Sequence, residues 1–88
     1  MPTIAYFYGI SVYMYYDDHN PPHFHAIYGE HEAKIAIDTG QVMEGELPRR
    51  AMRLVSEWAL ERKSELMNNW DLARSGRQLE RLRGLDAD

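Results

Sequence analysis

Glycine recurs at short intervals through a Tyr-, Ile- and Val-rich stretch over residues 3–44, at Gly9, Gly29 and Gly40. Short β-branched and aromatic runs, each closed by a residue that accepts positive φ, suit antiparallel strands joined by tight turns. Strands are expected near 3–7, 11–16, 24–28, 31–38 and 41–44, with two-residue turns at Tyr8-Gly9, Gly29-Glu30 and Thr39-Gly40. The segment from Asp17 to His23 is the one long connection. If Tyr28 pairs with His31, then Ala26 faces Ala33 and Phe24 faces Ile35, and these share an apolar side with Ile37. The other side carries His23, His25, Ile27, Glu32 and Lys34, with His25 opposite Lys34. Both histidines then stand side by side, facing away from the core.

At Pro48 the period changes to that of a helix, and no further Pro or Gly occurs until Gly76. One helix over 48–68 is expected, with Ala51, Leu54, Val55, Trp58, Ala59 and Leu66 as its apolar face. Asn68-Asn69 should end it, Asn69 capping a short helix over 70–75 that closes at Gly76. In the polar tail, Leu79, Leu82 and Leu85 recur every third residue, so the tail either docks as a last turn or frays. The fold class is α+β: an antiparallel meander of four to five strands, one long helix across one face and a short C-terminal helix.

Length restricts this to one domain over residues 1–88. A core of that size buries only about 60–65% of the unfolded chain's surface, which makes self-association or a bound partner an expectation. Cysteine is absent, so a metal would have to be held by His, Asp or Glu. The first residues lack a basic, then apolar, leader, and no apolar run approaches a membrane span, so a cytoplasmic chain is expected. Net charge is −4 but unevenly spread: one Lys against seven acids up to Leu47, then nine Lys and Arg against seven acids. This balance argues against a protein that wraps nucleic acid unaided and leaves room for a small arginine patch.

The chemistry-bearing stretch is Asp17-Asp18-His19-Asn20-Pro21-Pro22-His23-Phe24-His25, which holds three of the chain's four histidines. Imidazole changes protonation near neutral pH and, when neutral, is the commonest metal ligand. Alternate strand residues project to one face about 6.5–7 Å apart, so His23 and His25 can reach one ion, with His19 or Asp18 completing the set. Three protein ligands and an open position would be a catalytic pattern for a divalent transition metal such as zinc. A metal-free alternative uses one of His19, His23 and His25 as general acid or base, with Lys34 and a nearby Arg stabilising a phosphate transition state. A third alternative is a loop whose histidines only bind carbonyls.

Arg49, Arg50 and Arg53 occupy the first helical turns, where positive charge opposes the macrodipole. Helix stability does not explain them; one reading is partner or phosphate binding, the other an ordinary solvated surface on which Arg53 pairs with Glu57. Arg62 interrupts the apolar face and is expected to snorkel or to pair with Asp38 or Glu44. Leu60 and Met67, with Met52 at the margin, make a second apolar strip that reads as an interface. The six tyrosines read as residents of a half-exposed sheet rather than as a base-stacking platform.

The runs Met1-Pro2-Thr3-Ile4, Phe7-Tyr8-Gly9-Ile10, Asp18-His19-Asn20-Pro21-Pro22-His23-Phe24-His25-Ala26, Tyr28-Gly29-Glu30, Leu47-Pro48-Arg49-Arg50-Ala51, Glu57-Trp58-Ala59 and Asn69-Trp70 resemble the bacterial family known as domain of unknown function 4160. The resemblance covers nearly the whole chain and carries no established catalytic residues. It implies a small cytoplasmic protein whose gene lies beside that of a second small protein, in an arrangement similar to a toxin–antitoxin pair. Two functions follow. One is an enzyme acting on a phosphodiester or another small polar substrate through the histidines. The other is a non-enzymatic module that docks a neighbouring-gene product, or itself, through its helix.

Overall fold

A computed structural model describes residues 2–16 and 18–86. Five strands, β1 (Thr3–Phe7), β2 (Ile10–Tyr13), β3 (His23–Tyr28), β4 (His31–Ala36) and β5 (Val42–Gly45), form one antiparallel sheet in chain order. The meander, the turns at Tyr8-Gly9 and Gly29-Glu30 and the β3–β4 register are as expected: Tyr28 pairs with His31, Ala26 with Ala33, Phe24 with Ile35 and His25 with Lys34. Strand β4 ends at Ala36, however, and a connection over 37–41, closed by Gly40 N on Ala36 O, replaces the two-residue turn at Thr39-Gly40. Strand β2 is shorter than the expected 11–16, because the chain leaves the sheet after Tyr13 to enter the His-rich connection. The Asn20-Pro21 bond is cis. Asp17, one carboxylate of the His-rich stretch, lies outside the described residues.

Two helices follow, α1 (Arg49–Glu61) and α2 (Lys63–Arg74), in place of one long helix and one short one. The chain bends at Arg62 (φ −107°, ψ 20°), where α-type hydrogen bonds still run from Arg62 N to Trp58 O and from Leu66 N to Arg62 O. Arg62 occupies the next position of α1's apolar stripe, and its Nε is buried there. The bend leaves the guanidinium on Glu65 at 3.3 Å, while Asp38 pairs with Lys63 instead. Neither Asp38 nor Glu44 is therefore the partner of Arg62. The second break, expected at Asn68-Asn69, does not occur. Asn69 is buried inside α2, donating to Glu80 O and accepting from Glu80 N, both at 2.9 Å.

The core lies between one sheet face and the helices. Phe7, Val12, Phe24, Ile35 and Ile37 meet Val55, Trp58, Ala59 and Leu66, all of them buried. Trp58 is the centre, its ring 5.1 Å from Phe7 and 5.7 Å from Phe24. Burying a large apolar side chain of this kind contributes about 1.5–3 kcal/mol. The tail docks without becoming helical: Leu82 N donates to Ile4 O and Trp58 Nε1 to Arg83 O, each at 2.7 Å. Gly84 sits so close to Phe7 that a Cβ would stand 2.6 Å from the Phe7 Cβ. No helix among the described residues is long and apolar enough to cross a membrane.

Candidate metal centre

The extended geometry of β3 sends His23 and His25 to one side of the sheet, at the end where the chain arrives from Pro21-Pro22. The two rings stand 5.3 Å apart, side by side as expected. Their surroundings differ from the expectation, because His23 is buried where the ring of Trp70, from α2, lies 5.3 Å away. Trp70 belongs to an inward stripe with Leu66 and Ala73. That i, i+4, i+7 spacing was visible in the sequence and hidden by reading Asn69 as a helix stop.

The connection folds back so that Asp18 meets both histidines. Asp18 Oδ2 is 2.9 Å from His23 Nε2 and 3.3 Å from His25 Nε2. One ligand atom from each of the three residues lies within 4.8 Å of the others. Ligands about 2.0–2.1 Å from a tetrahedral zinc stand roughly 3.3–3.4 Å apart, so the two Asp18–histidine separations, 2.9 and 3.3 Å, are close to those of a coordination polyhedron.

The hydrogen bonding of His23 fixes its chemistry. Its Nδ1 lies 2.7 Å from Pro21 O. A carbonyl only accepts, so Nδ1 carries a proton and, in the neutral ring, Nε2 presents a bare lone pair. That Nε2 is buried and has no hydrogen bond of acceptable direction, although the Asp18 carboxylate is at ion-pair distance. A neutral lone pair facing a carboxylate is repulsive. A proton relieves the repulsion only through a poorly aligned contact, whereas a cation held off the N–O line by all three ligands meets the geometry. Ligating histidines typically donate their other N–H to a carbonyl or carboxylate, as His23 does to Pro21 O; the His25 hydrogen bond runs instead between Nε2 and Asp18 Oδ2, at 3.3 Å. His25 Nδ1 faces Glu32 Oε2 at 3.6 Å, and the Asp18 carboxylate is oriented by the His19 amide, which donates to Oδ1 at 3.0 Å.

Partial burial pushes the Asp18 carboxyl up, but the contacts from His25, the His19 amide and His23 outweigh it and hold the group below its ordinary value. Tyr15 packs edge-on against His25 at 4.4 Å; burial, then the charges of Glu32 and Asp18, raise its phenol. The cluster opens on the His25 side, where side-chain exposure is 12% for His25 and 20% for Asp18 against 2% for His23. There a groove of about 380 Å³ runs past His25, Glu32, Lys34 and Glu44.

The fold thus brings together Asp18, His23 and His25. Of the two residues expected to complete the set, Asp18 joins the histidines, while His19 is exposed and enters the cluster only by its backbone amide. Lys34 lies across from His25 and reaches Glu44 at 3.6 Å. Arg49, Arg50 and Arg53 are exposed, and the Arg53–Glu57 pair does not form. Leu60 is 61% exposed and lines a shallow groove with the half-buried Met67, while Met52 and Met67 both pack against the core. Glu32, Tyr15 and the Pro21 carbonyl were not singled out in the sequence. Glu32 alone had a signal there, the strand register that places it on the histidine face.

A family model described as Domain of unknown function (DUF4160) matches residues 9–71, and the chain belongs to that family. No curated protein and no solved structure matches it.

Proposed function

We propose that this member of the family holds a divalent transition metal on Asp18, His23 and His25, zinc being the simplest fit to an N, N, O donor set, and uses it for hydrolysis of a phosphodiester or another small polar substrate. The observation that carries the reading is the buried Nε2 of His23, whose tautomer is set by the Pro21 carbonyl and which stands without a hydrogen bond beside the Asp18 carboxylate and within 4.8 Å of the His25 ligand atom. A metal in such a three-ligand site acidifies a bound water and polarises an oxygen of the substrate. Asp18 and His25 flank the open side, Glu32 steadies the His25 ring, and Lys34 stands in the adjoining groove to attract negative charge. The chain would act as one component of a toxin–antitoxin-type pair, a role that rests on the family resemblance alone.

The test is elemental mass spectrometry of untagged protein purified without chelator, beside a His23→Ala/His25→Ala double variant and His19→Ala. Near-stoichiometric metal is expected in the parent protein and in His19→Ala, and none in the double variant. Metal-free parent protein that also fails to take up added zinc, or metal retained by the double variant, would sink the reading.

A further inference from the structure

A second pocket, of about 290 Å³, is lined by Tyr8, Ile10, Tyr28, Pro48, Arg50 and Leu54. Tyr28 ends the strand that His23 begins, five residues on, so the two sites lie about 17 Å apart along the sheet. The wall of this pocket is held in an unusual conformation. Tyr8 adopts φ +49°, in the left-handed region that non-glycine residues avoid, and with Gly9 at φ +79° turns the chain between Phe7 and Ile10. That turn leaves the Tyr8 ring 52% exposed, and Tyr28 stands so near that a Cβ at Gly9 would lie 3.3 Å from its Cε1. Two tyrosine rings and aliphatic side chains therefore surround a space suited to one large side chain.

Its charge runs against that of the rest of the chain. Arg49, Arg50 and Arg53 make no ion pair among the described residues, and α1 begins with neither a side-chain cap nor an acid in its first turn. The free amides and macrodipole of the helix start add to the same positive end. The acids nearest in sequence to the three arginines, Glu46 and Glu57, are exposed and pair with none of them. Tyr and Arg around a recess that admits one apolar group are the composition of an interface hot spot. Guanidinium forks match carboxylates two bonds at a time, and a chain of net charge −4 is a poor partner for a nucleic-acid backbone.

We propose that this pocket docks an acidic segment of a partner protein, with one apolar anchor side chain between Tyr8 and Tyr28 and flanking carboxylates on Arg49, Arg50 and Arg53. The probe is a dye-labelled peptide with one Trp between two runs of Glu, followed by fluorescence anisotropy against full-length protein. Controls are the same peptide with Gly for Trp, the same peptide with Lys for Glu, and a labelled oligothymidylate. Saturable binding of the Trp–Glu peptide is expected, weakened by at least about tenfold when Trp becomes Gly and again in Arg50→Glu. Raised salt should weaken it too. Arg50→Glu places an acid at a helix start, so loss of binding there is not loss of fold; Tyr8→Gly removes the ring while suiting the backbone and should weaken binding comparably. Asp18→Asn should leave binding unchanged, which separates this site from the metal centre. No saturable binding, binding indifferent to Arg50→Glu and Tyr8→Gly, or tighter binding of the oligothymidylate would each overturn the proposal.

Discussion

At the scale of single residues, His23 and Asp18 are a pair that neither makes well without a third participant. With metal present, a proton and the ion compete for the same imidazole nitrogens, so occupancy should fall on acidification. Without metal, Asp18 gives the clearer acid-side signature. Its carboxyl is held below the ordinary value when folded, so its contribution to stability is fully present above the unfolded carboxylate pKa of about 3.9 and is lost as pH falls through the lower folded value. Metal-free Asp18→Asn is therefore expected to lose less stability than the parent between about pH 5 and pH 2 in urea-unfolding series. Parallel curves for the two proteins would contradict the assignment. A site in this stretch was legible because His23 and His25 alternate on one strand and so share a face. Which further residue joins them was not, because that depends on how the connection turns at Asp18, and His19 emerges on its outer side.

At the scale of elements, the meander could be read because the same residues that set the turns also set the register. The helices could not be read as well, because a tertiary contact overrides local preference at Asn69 and the chain bends at Arg62 without a Gly or Pro to mark it. Asn69 looks like a helix stop by propensity, yet its amide completes the backbone of Glu80 from inside α2. Asn69→Ala removes both bonds and is expected to cost about 1–3 kcal/mol while speeding amide exchange in the tail; unchanged stability with unchanged exchange would show that the tail is held elsewhere. Arg62 is the converse case. Its Nε is buried without a partner and its exposed pair with Glu65 contributes little. Arg62→Met keeps the stem's packing and removes the orphaned donor, so stability is expected to be unchanged or higher by up to about 1 kcal/mol. A clear loss in the urea midpoint would mean that the guanidinium itself fixes the bend between the helices.

At the scale of the whole molecule, the two edges of the sheet are treated differently. The β1 edge is closed by the tail through Leu82 N and Ile4 O, while β5 is exposed along its length, with Val42 and Met43 each 40% accessible. The tail also accepts from Trp58 Nε1 and from the Asn69 amide, so contacts at the centre of the core and inside α2 depend on a segment with no regular structure. Three-residue leucine spacing gave no helix to find; what docks the segment is its backbone, which a side-chain pattern cannot reveal. Ending the chain at Arg77 would strip a buried Leu82 and leave the Trp58 N–H and both Asn69 groups without partners. Those losses, about 1.5–3 kcal/mol for the leucine and about 1–3 kcal/mol for each orphaned group, approach the roughly 4–13 kcal/mol that holds a domain of this size together. The shortened chain is expected to be at best marginally folded, with a much lower urea midpoint and, once the β1 edge is uncovered, concentration-dependent sheet association. A truncated protein that stays monomeric and unfolds cooperatively at the parent midpoint would show that the tail only rests on a core already complete without it.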